Sequence, residues 1–90
     1  MIAITRYRVP ADEAEVFAGQ ARAVLEAFSA CRGHRSGRLG RAADDPELWV
    51  MYTEWEGAGF YRRALGEVRM LVIPMSAGAV DEPGAFEIIA

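Results

Sequence analysis

The sequence predicts an α+β domain of ferredoxin-like β-α-β-β-α-β order, an antiparallel four-stranded sheet with helices on one face, completed by pairing with a second copy. Three observations carry this expectation. Strand-like and helix-like periodicities alternate along the chain in that order. The best strand, residues 47–56, is largely apolar on both faces, and helices can cover only one of them. The chain has 90 residues, 52% hydrophobic, so its own core is thin and oligomerisation is the natural remedy.

Residues 2–9 read as the first strand. Ile2 and Ile4 point one way; Ala3, Thr5, Tyr7 and Val9 point the other. Pro10 ends it, because proline has no N–H for a ladder. Residues 11–31 read as one amphipathic helix, with Asp12 and Glu13 suiting its positive end. Phe17, Ala21, Val24, Phe28 and Cys31 draw its apolar stripe, widened by Ala14, Ala18 and Leu25. Glu15, Gly19, Arg22 and Glu26 mark the wet face, and Gly33 stands just past the end as a stop.

Residues 34–42 form a weaker strand, rich in arginine and glycine, that places His34 and Arg38 on one face. Asp44-Asp45-Pro46 signals a turn. In the strand at 47–56, Leu48, Val50 and Tyr52 share one face; Trp49, Met51, Thr53 and Trp55 share the other. Residues 57–73 read as a helix with a weak point at Gly66, closed by Pro74. After the turn Asp81-Glu82-Pro83-Gly84, residues 85–89 make the last strand. No linker or repeat interrupts the order, so residues 1–90 are expected to form a single domain.

Composition excludes several classes. Cys31 is the only cysteine and His34 the only histidine, so an intrachain disulfide is impossible and an ordinary zinc site is not expected. Cys31 falls on the helix stripe, where a small buried hydrophobe is its usual role. Net charge is −3, with no polybasic stretch, which speaks against nucleic acid or an anionic membrane as partner. No membrane-length apolar run and no signal-peptide pattern is visible, and a cytoplasmic protein is expected. No phosphate-binding glycine loop or metal spacing is present.

Several segments together resemble a known family over nearly the whole chain. They are the strand Met1–Val9, the Pro10-Ala11-Asp12-Glu13 helix opening, Arg32-Gly33-His34 at the second strand, and Asp44-Asp45-Pro46 before the third. The strongest is Tyr52-Thr53-Glu54-Trp55-Glu56 followed by Phe60-Tyr61. The sequence resembles the antibiotic biosynthesis monooxygenase domain family, within the dimeric α+β barrel group. The resemblance implies a homodimer whose two sheets close into a barrel, with a cavity between each sheet and its helices. Such families include cofactor-free oxygenases of anthrone-like polyketide intermediates, haem-degrading enzymes and proteins of no known activity.

Against that background Trp55 and Tyr61 are the candidate catalytic residues. Trp55 falls beside the implied cavity; a large core tryptophan is the competing reading. The Tyr61 phenol could donate to a substrate oxygen or a developing oxyanion, or simply pack at a helix contact. Tyr52, His34, Arg38 and Met51 are candidate substrate-binding residues. As the only histidine, His34 is the one side chain of the type suited to general-base work, though its place at the start of a polar strand predicts an exposed side chain. Arg38 could orient an anionic group or form a surface ion pair.

Two departures from the family matter. Haem-degrading relatives carry an iron-ligating histidine on the second helix, where this chain has Arg62-Arg63-Ala64-Leu65. Anthrone-oxidising relatives use a strand-three asparagine and an arginine; this chain has no asparagine, and Arg62, Arg63 and Arg69 are the arginines within reach.

Three functions follow as alternatives. The first is a cofactor-free monooxygenase, needing no flavin, haem or metal, that binds a small aromatic or polyketide-like substrate among Trp55, Tyr61 and Tyr52. The second is a non-catalytic homodimer that binds a small apolar or aromatic ligand or serves as an accessory protein. The third is a lactone isomerase or lyase with His34 or Glu54 as base. A cavity lined by Trp55 and Tyr61 with room for a two- or three-ring ligand favours an enzyme; one filled by side chains such as Met51, Met70 and Phe60 favours a scaffold.

Overall fold

The computed structural model describes residues 1–90. Strand β1 (Ile2–Arg8) leads through a 3₁₀ turn at Ala11–Glu13 into helix α1 (Ala14–Ser29). A hairpin follows, β2 (His34–Ala42) and β3 (Asp45–Trp55). Helices α2 (Ala58–Glu67) and α3 (Arg69–Val72) and a 3₁₀ segment at Ile73–Gly78 lead to a short β4 (Ala85–Phe86). The sheet order is β2-β3-β1-β4 and every pairing is antiparallel, the ferredoxin-like arrangement.

The two-residue alternation sorts the sheet into two faces. Ala3, Tyr7, Trp49, Met51, Thr53 and Trp55 are buried against the helices. Ile2, Ile4, Leu48, Val50 and Tyr52 occupy the opposite face, half-buried, with no layer above them. Helix α1 packs its predicted stripe inward: Phe17, Ala18, Ala21, Val24 and Phe28 are all buried. Phe17 meets Tyr7 and Trp49 ring to ring at 5.1 and 5.4 Å, which locks the helix over the β1–β3 pair.

Several boundaries differ from the sequence reading, each for a visible reason. The hairpin turn is Ala43-Asp44, and β3 already begins at Asp45, whose carboxylate accepts from Arg8 and from the Glu47 amide. The α1 helix ends at Ser29, leaving Cys31 half-buried beyond it. The break in the second helical region falls at Val68, not Gly66. Val68 turns inward to 5% exposure with φ −101° and ψ 9°, while Gly66 lies outside. Pro74 does not stop that region; it sits in the first turn of the 3₁₀ segment that continues it to Gly78.

The last strand is shorter than predicted because the edge is interrupted. Ala79 bridges Tyr7, Val80 donates to the Arg6 carbonyl, and Ile4 donates to the Gly84 carbonyl. The intervening Asp81-Glu82-Pro83 bulges outward, tied back by an Arg6–Glu82 ion pair at 2.6 Å. Pairing resumes only at Ala85 and Phe86, and Ile88 and Ile89 stand exposed.

Candidate functional site

A pocket of about 170 Å³, open to solvent at one end, lies between the sheet and the helices. Its floor comes from alternate residues of two strands: Ala3, Thr5 and Tyr7 of β1, Met51 and Thr53 of β3. Val24 and Phe28 of α1 form one wall; Tyr61 and Leu65 of α2 and Val72 of α3 form the other. Exposed Ser76 and Ala79 mark the end that reaches solvent. The break at Val68 gives this wall its shape, because it lets α2 and α3 contribute separately.

The polar groups of the cavity are hydroxyls: Thr5, Tyr7, Thr53, Tyr61 and Ser76. Thr53 is fixed, since its Oγ1 accepts from the Trp55 indole Nε1 at 2.8 Å. The Ser76 hydroxyl donates to the Val72 carbonyl at 3.3 Å. Burial pushes the Tyr61 phenol above its ordinary value. Burial raises Tyr7 too, the nearby Tyr61 raises it further, and the Thr5 hydroxyl partly offsets this. Burial thus favours the neutral phenol at both positions.

The structure separates the six predicted site residues into two groups. Tyr61 and Met51 line the cavity. Trp55 stands behind it at 1% exposure, packed edge-on against Phe28 at 5.3 Å and tilted against Tyr61 at 5.8 Å. Its indole thus holds Thr53 and Tyr61 in place. His34 packs edge-on against Trp55 at 5.2 Å, with its Nε2 buried and unpartnered. The exposed histidine expected from a polar strand is thus corrected. Gly33 sets this entry, with a φ of +87° and the Phe60 ring over the space a Cβ would need.

Tyr52 and Arg38 form a cross-strand pair on the open face. Sequence alternation put Arg38 on the face of His34. A bulge between His34 and Ser36 leaves Arg35 without a partner and reverses the alternation beyond it. The Tyr52 hydroxyl donates to Glu54 Oε1 at 3.1 Å, so Glu54 also looks away from the cavity and cannot serve there as a base. Arg62, Arg63 and Arg69 are exposed, Arg63 lying over the Phe60 ring, so no arginine enters the cavity. Met70, named as a cavity filler, is 79% exposed, because it follows the turn at Val68.

Tyr7, Thr5 and Thr53 belong to the site and were missed as functional residues. Alternation had already placed them on the right faces; what it lacked was the hollow between those faces and the helices. A second, larger cleft of about 490 Å³ lies by Pro10, Asp12, Glu13 and Pro74. It gathers none of the predicted site residues and its carboxylates are exposed, so the interior cavity is the better candidate. No helix is long and apolar enough to cross a membrane.

No curated protein matches the chain in sequence. Among solved structures, the fold is similar to SnoaB, a cofactor-independent oxygenase from Streptomyces nogalater. The TM-score is 0.84 at 22% identity, over 99% of this chain and 92% of that one. It is also similar to a conserved protein from Methanosarcina mazei Go1, with a TM-score of 0.80 at 14% identity over 90% and 82% of the two chains. A third similar structure is Rv0793 from Mycobacterium tuberculosis, with a TM-score of 0.76 at 18% identity over 99% and 91%. At these identities the likeness speaks for the fold. The family model for antibiotic biosynthesis monooxygenase matches residues 1–65, well over half the chain. With that match on a ferredoxin-like sheet that encloses a cavity under its helices, the chain belongs to the antibiotic biosynthesis monooxygenase family.

Proposed function

We propose that the protein is a cofactor-independent monooxygenase that oxidises a small aromatic substrate with dioxygen in the interior cavity. The observation that carries this reading is the pair Tyr7 and Tyr61. Two phenols whose neutral form is favoured by burial line a largely apolar space in which no side chain bears a formal charge. A space with so few competing polar groups strengthens a hydrogen bond to developing negative charge.

The substrate supplies the electrons. It ionises at a phenol or an acidic C–H, its proton leaving to water at the Ser76 end. The carbanion or phenolate passes one electron to dioxygen, and the two radicals combine. Loss of water then leaves a carbonyl where a methylene was, or a hydroxyquinone where a hydroquinone was. One oxygen atom enters the product and the other leaves as water. Tyr7 and Tyr61 donate to the substrate oxyanion throughout, and Trp55 positions Tyr61 and Thr53.

The working unit under this reading is a homodimer in which the open sheet faces meet. Ile2, Ile4, Leu48, Val50 and Tyr52 form an apolar face without a covering layer, and a second copy supplies one. The cavity also supports a second reading, a non-catalytic ligand carrier, because no histidine or carboxylate lines it to act as a general base. Oxygen uptake by metal-stripped protein with a panel of hydroquinones and anthrones tests the choice. Uptake above the uncatalysed rate that falls in Tyr61→Phe supports the oxygenase. Saturable binding of the same compounds with no added uptake supports the carrier.

A further inference from the structure

We propose that the cavity selects a neutral aromatic ligand of a single ring carrying hydroxyl groups, with Leu65 and Val72 setting the size limit. The inference rests on the reading above only in taking this cavity as the substrate site.

Size is the first argument. Pockets for drug-sized ligands run to about 300–1,000 Å³. An apolar cavity of about 150 Å³ is known to take one benzene ring. At about 170 Å³ the space under the helices matches one ring with small substituents, and a second or third fused ring would have to project past Ser76 and Ala79 into solvent. The sheet side is not free to give way. Thr53 and Trp55 are hydrogen-bonded to each other across β3, and Trp55 is 1% exposed. On the α2–α3 wall, Leu65 and Val72 are the aliphatic side chains that close the space, one on each side of the helix break at Val68.

Charge is the second argument. A carboxylate on the ring would add a permanent charge beyond the oxyanion that Tyr7 and Tyr61 can solvate, in a space that offers no cation, since the arginines of α2 and α3 are exposed outside it. Buried charge without a partner is strongly disfavoured. Neutral ring hydroxyls, by contrast, find matching groups. Tyr7 on the floor and Tyr61 on the wall donate, and the Thr5 hydroxyl accepts or donates as needed.

The test is anaerobic calorimetric titration at neutral pH, which measures binding without turnover. The ligands are methylhydroquinone, naphthohydroquinone, anthrone and gentisate, the last being a one-ring hydroquinone with a carboxylate. Methylhydroquinone is expected to bind most tightly, with the other three weaker by about tenfold or more, a difference of about 1.4 kcal/mol. Leu65→Ala is expected to raise naphthohydroquinone affinity by about fivefold or more while methylhydroquinone changes less than about twofold. Val72→Ala, a smaller truncation, is expected to move the same way if Leu65→Ala fails to fold. Anthrone binding as tightly as methylhydroquinone, or gentisate equal to it, overturns the inference. So does undetectable binding of methylhydroquinone, or truncations that leave the ranking unchanged. The two readings fail separately: the predicted ranking without oxygen uptake removes the oxygenase alone, and uptake with anthrone but not hydroquinones removes the size rule alone.

Discussion

Phe28→Ala tests whether the packing that shapes the cavity also holds the fold. Phe28 is 3% exposed. It stands edge-on to Trp55 at 5.3 Å, tilts against Tyr61 at 6.3 Å and forms part of the cavity wall. Burying a phenylalanine side chain contributes about 1.5–3 kcal/mol. Each aromatic contact adds about 0.5–1.5 kcal/mol beyond area. Truncation next to an existing hollow leaves the surroundings little to collapse onto, so the loss belongs near the middle of the usual range, about 4 kcal/mol. A domain of this length has about 5–13 kcal/mol in total, so the variant should be marginal. Urea denaturation followed by circular dichroism, at one fixed protein concentration, should show a midpoint lowered by about 3 M. Phe28→Leu, which keeps most of the volume, should lose less than about 1.5 kcal/mol. A loss below about 1 kcal/mol for the alanine variant would refute the assignment of this face as core.

Alkaline pH should destabilise the protein through Tyr7 and Tyr61. Their folded values are raised, so above the ordinary phenol value of about 10 the unfolded chain releases protons that the folded chain retains. Stability should hold to about pH 9 and fall as pH climbs through the phenol range, less steeply in Tyr61→Phe; equal slopes in the two proteins contradict this. Gly33→Ala should cost about 2 kcal/mol, because φ is +87° and the new Cβ would fall within 2.4 Å of the Phe60 ring. A melting temperature lowered by about 10 °C checks it. Val50→Glu on the open face should convert a species of twice the 9.9 kDa chain mass to the monomer in sedimentation analysis. A wild-type monomer at micromolar concentration would remove the homodimer from the account.

The fold was legible because its signals are periodic. The α1 stripe through Phe17, Val24 and Phe28, and the β3 alternation through Trp49, Met51, Thr53 and Trp55, survive unchanged in the structure. What alternation cannot supply is the place where it slips. The bulge at Arg35 has no sequence mark of its own, and it moved Arg38 to the face opposite His34. The helix break fell at Val68 rather than Gly66 because the pull of core burial outweighed local propensity. The site was half legible. Tyr61 stood out as an aromatic near Trp55, whereas Tyr7 looked like one more inward-facing strand residue. Only the hollow between β1 and α2 shows that both phenols face the same space.

The central claim is that this cavity puts an oxygen atom from dioxygen into an aromatic substrate without help from a cofactor. Its most direct test is turnover of methylhydroquinone by metal-stripped protein under isotopically labelled dioxygen, with product analysed by mass spectrometry. The account predicts one labelled atom per product molecule, at a rate well above the protein-free control and reduced in both Tyr61→Phe and Tyr7→Phe. Product that carries no label, or labelled product formed no faster than in buffer alone, would contradict it.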